Sequence, residues 1–379
     1  MSDDSGLSFI IPSRHETPEI SRRMSSPTQS PIPASGATIS RSAAASNALR
    51  VNLTIALFVW VMWLVFGGRL AIHHLISDWK VALTMVFGSL VGGGTSEGGG
   101  AIAFPIFTKL LHIAPFDARN FSLAIQSVGM GSASLSILYL RIPIERRALL
   151  YAGVPGVLGV VFGAYFVAPW IPPVFLRTSF TVLVSSLGVA LLLVNREKEA
   201  LRNKGMPIFG TSEKSILIAA GFLGGIVSAL VGTGENTVIF MVMVLLFRVN
   251  EKIVTPTTVV LMTMVTIPGF LVHVFLLRDF TTTVMGYWLA AVPVVAVGAP
   301  LGALLCSYMK RQAIVWLLLF LIALEFTSTL LLVPMSRPVL WASFATLVIC
   351  GSIDWGMSRS IRYRPMTLQL APEADEIGS

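Results

Sequence analysis

Charge is what this sequence lacks most. Only 12% of its 379 residues are Asp, Glu, Lys or Arg, half of the roughly 25% found in soluble domains. Beside 54% hydrophobic residues and a mean hydropathy of +0.79, so few charges cannot cover a soluble globule. A soluble enzyme and a disordered chain are therefore excluded. Two cysteines are too few for a disulfide scaffold, and Cys306 and Cys350 both lie in apolar runs, where a small core residue is the reading. Alternating polar and apolar segments of about ten residues are also missing, which argues against a β-barrel. What is present instead is a series of continuous apolar runs of about 20 residues, the mark of an all-α polytopic membrane protein. In that setting the net charge of +8 is an orientation signal, and no nucleic-acid partner is expected.

Residues 1–50 hold twelve Ser and five Pro with hardly any apolar periodicity, and read as a disordered tail. An anchor helix follows at 51–67; the tail before it is too long and polar for a cleaved signal. Seven further runs have the length of full crossings: 120–140, 148–169, 175–194, 253–277, 284–307, 312–333 and 338–356. A polar tail closes the chain at 357–379.

Two stretches break the pattern. Residues 81–111 and 215–247 are apolar but interrupted by GGGTSEGGG at 92–100 and GTGEN at 232–236. As single helices they would be about 46–50 Å long, against a hydrocarbon core of about 30 Å. A re-entrant hairpin with its turn near the midplane is the economical reading, since irregular backbone at that depth is tolerated only inside protein or along a cavity. The stretches also reveal a duplication. Gly94-Thr95-Ser96-Glu97 and Gly232-Thr233-Gly234-Glu235 share G-T-x-E, Val154-Pro155 and Val292-Pro293 recur at the same offset, and Gly159/Gly163 recur as Gly298/Gly302 one residue later. Each copy (80–195 and 215–333, joined by a linker at 196–214) is a hairpin plus three crossings. An odd number of crossings inverts the second copy. With both termini placed in the cytoplasm, twenty of the 27 basic residues fall inside, as the positive-inside rule requires. Treating each hairpin as one crossing would turn the basic loops at 141–147 and 195–214 outward.

Ionisable residues within the membrane are few: Glu97, Glu235, Glu325 and His273, with Asp354 near a helix end. Each costs roughly 2.5–3.5 kcal/mol on insertion scales, so function is the first reading. Glu97 and Glu235 occupy matched hairpin tips and should approach one another. Each either takes part in transport or caps its own turn. Glu325 is a proton-relay candidate or a buried hydrogen-bonding group, and His273 reads as an interfacial histidine. The tip glycines Gly93, Gly94, Gly98, Gly99 and Gly100 leave backbone amides bare at the start of a returning half-helix, where anions bind. Thr95, Ser96, Gly232, Thr233, Gly234 and Asn236 complete the two tips. Ser122 and Gln126, after the first hairpin, and Thr257 and Thr258, after the second, could donate to an oxyanion or bond between helices. The G-x-S-x-G match at Gly94–Gly98 lacks the strand–turn–helix setting of a nucleophile elbow. His73-His74 has no further spaced ligands, so neither an enzyme, a cofactor nor a metal site is expected. The GxxxG pairs read as close helix packing.

These residues resemble a known family. GGGTSEGGGAIAFP (92–105), DARNFSLAIQSVG (117–129), GTGENTVIF (232–240) and TPTTVVLM (255–262) are similar to the sulfite exporter TauE/SafE family, over about residues 80–333. The resemblance implies secondary transport of sulfur oxyanions or organosulfonates, usually outward. It also carries Gly92–Gly94, Gly98–Gly100 and Pro105 over to the family's glycine-rich first hairpin. The expectation is thus a multi-pass protein of the plasma (inner) membrane that moves a small anion, with Glu97, Glu235 and Glu325 as proton-coupling candidates. Two other readings stand beside it: a cation carrier using Glu97 and Glu235 as ligands, and a membrane protein that senses an anion without transporting it. Oligomeric state is open.

Overall fold

The computed structural model describes residues 35–96, 98, 106–196, 202–332, 336–360 and 362–363. Contacts divide the chain into residues 1–44 and residues 45–379. Of the first unit, residues 35–44 are helical; all the elements below belong to the second. Residues 35–50 are thus helical, while residues 1–34, the rest of the stretch expected to be a disordered tail, lie outside the described residues. All five prolines lie before position 34, and the helical part holds Ala43, Ala44, Ala45 and Ala48, the residue type that favours helix most.

In the second unit, α1 spans Ser46–Ser77 and leaves helical geometry once, at Gly68. The helices that follow are α2 (Trp79–Gly94), α3 (Pro115–Tyr139), α4 (Arg146–Trp170), α5 (Pro173–Arg196) and α6 (Thr211–Val231). Then come α7 (Glu235–Leu246), α8 (Glu251–Leu276), α9 (Thr282–Tyr308), α10 (Arg311–Leu332) and α11 (Arg337–Arg359). Eight of them are long and apolar enough to cross a membrane, and among the described residues there is no strand, only an isolated bridge between Asn203 and Val249. This is a multi-pass helical membrane protein. One arm differs from expectation. Helix α6 starts at Thr211 because the Glu213 carboxylate takes the Gly210 amide at 2.7 Å. Its 21 residues reach about 31 Å, enough to cross alone rather than half-way.

Two pairs of helices pack backbone to backbone, α2 on α9 and α6 on α4. A Cβ at Gly93 would lie 1.9 Å from the Ala299 carbonyl oxygen, and one at Gly302 would lie 2.0 Å from that of Leu90. In the other pair, Gly159 faces the Phe222 carbonyl at 2.1 Å and Gly225 faces that of Gly156 at 2.1 Å. Small residues permit this approach, and in lipid such van der Waals packing is a principal source of helix association. Helices α2 and α6 therefore each lean on a helix from the other half of the chain, through the GxxxG pairs at 298/302 and 159/163.

Helix α1 is attached through hydrogen bonds. The Trp63 indole donates to the Leu289 carbonyl at 2.8 Å and the Trp60 indole to that of Pro293 at 2.8 Å. Leu289 stands four residues before Pro293, which has no N–H to give it, so the tryptophan supplies the missing donor. Ser136 donates to Asn52 at 2.6 Å nearer the start of the helix. Between α1, α3, α8 and α9 lies an apolar crevice of about 1260 Å³, lined by residues such as Phe58, Leu135 and Met264.

The connecting segments gather at two ends. At one, Glu145 accepts from the Met206 amide at 3.1 Å, and Arg311 and Arg202 close on Glu251 at 2.7 and 3.6 Å. There the Tyr363 hydroxyl donates to buried Glu213 at 2.6 Å beside Arg362 at 2.8 Å. Burial, together with that bond to Glu213, pushes the Tyr363 phenol up to about 12. This is the end that carries most of the described basic residues outside the helices. At the opposite end, Asp279 is shared by His273 at 2.8 Å and Arg119 at 3.7 Å, and Thr281 reaches Asp117 at 3.4 Å.

Candidate functional site

The second tip is the turn Gly232–Gly234 between α6 and α7. Gly232 (φ 88°) and Gly234 (φ 142°) hold backbone conformations that side chains resist. The turn satisfies much of its own hydrogen bonding. Ser228 takes the Glu235 amide at 2.9 Å, and Asn236 Oδ1 takes the Gly234 amide at 3.0 Å and the Thr233 hydroxyl at 3.2 Å. Donors that the sequence offered to an anion at Thr233 and Gly234 are thus engaged within the tip. At the first tip, α2 ends at Gly94, Thr95 and Ser96 are buried, and Gly98 has φ 73°. Glu97, Gly99, Gly100 and Pro105 lie outside the described residues.

The two tips touch. Asn236 Nδ2 donates to the Ser96 carbonyl. Gln126 on α3 reaches both: its Nε2 donates to the Gly232 carbonyl at 2.8 Å and to Ser122 Oγ at 2.5 Å. Its Oε1 lies 3.2 Å from the point where a Gly98 side chain would begin. Ser122 also donates to the Gly232 carbonyl, at 3.1 Å. Gly94, Thr95, Ser96, Gly98, Ser122, Gln126 and Gly232–Asn236 are therefore collected in one place, as matched tips required.

Around this junction several buried polar atoms have no hydrogen-bond partner among the described residues: Ser96 Oγ, Gln126 Oε1, Thr237 Oγ1 and both carboxylate oxygens of Glu235. Glu235 opens α7 and is 1% exposed. Glycine makes its room: a Cβ at Gly224 would come within 2.8 Å of the Glu235 Cα, and one at Gly156 within 3.5 Å of its Cγ. The carboxylate does not cap its own turn, since Ser228 and Asn236 do that. A buried carboxylate with no donor is costly, and the cost is met by a proton or by a positive ligand. Among the described residues no group of three or more His, Cys, Asp or Glu is placed to hold a metal.

Other residues singled out by sequence stand elsewhere. The Thr257 hydroxyl donates to the Ile253 carbonyl at 2.6 Å and accepts the Glu145 amide at 2.9 Å, so it ties α8 to the start of α4. Thr258 donates to the Thr255 carbonyl at 2.9 Å within its own helix. Glu325 accepts from Thr181 on α5 at 2.9 Å and from Thr329 at 3.2 Å, which is the hydrogen-bonded alternative between α5 and α10. His273, near the end of α8, is buried and meets Asp279 of the following loop at 2.8 Å. Sequence reading missed this Arg119–Asp279–His273 cluster; the polar run Asp117-Ala-Arg-Asn ahead of Ser122 was the available signal.

The family model for the sulfite exporter TauE/SafE matches residues 81–326. The chain belongs to the TauE/SafE family. The TauE/SafE match begins in α2 and ends in α10, so it takes in both tips and leaves α1 and α11 outside. TauE/SafE proteins are membrane transporters, which accords with the helical architecture. No curated protein and no solved structure matches the chain.

Proposed function

We propose that this TauE/SafE protein carries a small sulfur oxyanion or organosulfonate, such as sulfite, across the plasma membrane by alternating access. Proton transfer at Glu235 couples the step. The observation that carries this reading is Glu235 itself: a buried carboxylate with no hydrogen-bond partner among the described residues, at a tip that is bonded to the other tip through Asn236 and Ser96. An anion entering next to a carboxylate requires that group to be neutral, and a proton arriving with the anion meets the requirement without a permanent positive charge in the membrane. The buried Ser96 and Thr237 hydroxyls supply donors for the anion, and Gln126 holds the second tip in place through Gly232.

The reading also takes residues 80–195 and 215–333 as two inverted repeats that rock against each other. What supports it is the G-T-x-E shared by Gly94–Glu97 and Gly232–Glu235 and the reciprocal packing of α2 on α9 and α6 on α4. The end that holds Glu145, Glu251 and Tyr363 faces the cytoplasm, by the excess of Arg and Lys in its loops. A cation carrier is the second reading, favoured by the same unpartnered carboxylate.

Glu235→Gln in proteoliposomes tests the coupling. The expected result is sulfite flux that no longer responds to a pH gradient. A pH response equal to that of the unmodified protein would remove Glu235 from the mechanism.

A further inference from the structure

Below the first tip, toward the basic end, the first turns of α8 meet the last turn of α2. A cavity of about 10 Å³ lies there, lined by Gly93, Lys252, Thr255, Cys306 and Ser307 among others. That volume holds one water-sized group. Thr255 is 1% exposed, and its hydroxyl has no hydrogen-bond partner among the described residues. The contrast with its neighbours is sharp, since the Thr257 and Thr258 hydroxyls are both spent on carbonyls of α8, and the Ser307 hydroxyl on the Leu304 carbonyl of α9 at 2.6 Å. Lys252 sits one turn before Thr255 on the same helix face. Among the described residues it has no carboxylate partner: the adjacent Glu251 is held by Arg311 and Arg202.

We propose that this cavity is an anion-docking station on the basic face, where Thr255 and Lys252 receive one oxygen of a small oxyanion before it passes to the tips. Three sources of potential meet there. Lys252 brings a full positive charge, and the N-terminal turn of α8 brings a partial one. Against them stands the carbonyl end of α2 at Gly93, which carries partial negative charge. The balance favours an anion and weakens its hold, which suits a station that must release its occupant. Lys252 in turn disfavours a cation. Cavity size limits the contact to a single oxygen, so the remaining oxygens of the ion stay on the Lys252 side. Gly93 is required for a separate reason as well, because a side chain at that position would strike the Ala299 backbone.

The station rests on the anion-transport reading above, and its test separates the two. Sulfite transport is measured in vesicles of known orientation, with the half-saturating concentration determined from each face. Lys252→Gln and Thr255→Val should each raise that concentration about three- to tenfold from the basic face, more than they change the maximal rate, and leave the opposite face within twofold. Lys252→Arg and Thr255→Ser should restore it, and Lys310→Gln, an exposed charge on the same face, should behave as the unmodified protein. Equal shifts at both faces, or a Lys310→Gln effect as large as that of Lys252→Gln, would overturn the station while leaving transport intact. Absence of sulfur-anion flux in the unmodified protein would overturn the transport reading and the station with it. Thr255→Ser guards against a folding defect, because it keeps the hydroxyl at nearly constant volume.

Discussion

A single methyl group at Gly93 should separate two helices. Its Cβ would stand 1.9 Å from the Ala299 carbonyl oxygen, where ordinary contact begins at 3.4 Å, so α2 and α9 must part by about 1.5 Å. The obstacle is backbone and no rotamer change relieves it. A gap of 0.5–1 Å already forfeits about a quarter to a half of each dispersion contact, and the buried face of α2 (Val81, Met85, Ser89 and Gly92 among them) would lose contact along its length. Overpacking of this kind costs about 1–3 kcal/mol. For Gly93→Ala the expectation is a loss of about 2 kcal/mol, read as a fall of roughly 2–3 °C in the unfolding midpoint of the purified protein. Gly225→Ala, 2.1 Å from the Gly156 carbonyl in the reciprocal pair, should cost a similar amount. Gly131→Ala is the control: its Cβ would find only a Thr263 methyl at 3.9 Å, and helix propensity favours alanine. If Gly93→Ala and Gly225→Ala unfold with Gly131→Ala, the backbone-to-backbone account of both pairs is refuted.

Two further substitutions probe the joints around the site. Trp63→Phe should cost about 1 kcal/mol by leaving the Leu289 carbonyl without a donor, and adding Pro293→Ala should abolish most of that cost, because an alanine amide bonds the same carbonyl; a thermal double-mutant cycle with no coupling would contradict this. Gly98→Ala should impair both stability and flux, since φ 73° disfavours a side chain and its Cβ would strike Met262. Met262→Ala should recover part of that loss, and if it recovers nothing the backbone conformation alone explains the defect.

Hydropathy made most of the long helices legible, because eight apolar stretches are long enough to need a membrane. The meeting of the two tips was suggested by the shared G-T-x-E at Gly94 and Gly232, whose segments are bonded through Asn236 and Ser96. What one sequence does not display is how polar groups are divided between holding the turn and facing a substrate. Asn236 and Gln126 looked like donors to a substrate, yet both spend their amides on holding the tips, Asn236 on Ser96 and Gln126 on Gly232 and Ser122. Thr255, Thr257 and Thr258 are adjacent and similar, and only the fold shows that Thr255 alone has an unspent hydroxyl. The ion pair of His273 was not visible in the sequence because its partner, Asp279, returns to it from beyond the helix end. The start of the first helical stretch was misjudged for a compositional reason: prolines before position 34 were averaged with an alanine-rich segment after it.

The central claim is that an anion crosses at the joined tips. The most direct measurement is sulfite flux in proteoliposomes under imposed membrane potentials of each sign, for the unmodified protein and for Gln126→Ala. The account predicts flux that is accelerated toward the positive compartment, or is indifferent to potential when one proton accompanies each monovalent anion, and that falls at least tenfold in the variant. A flux accelerated toward the negative compartment, or one untouched by Gln126→Ala, would contradict it.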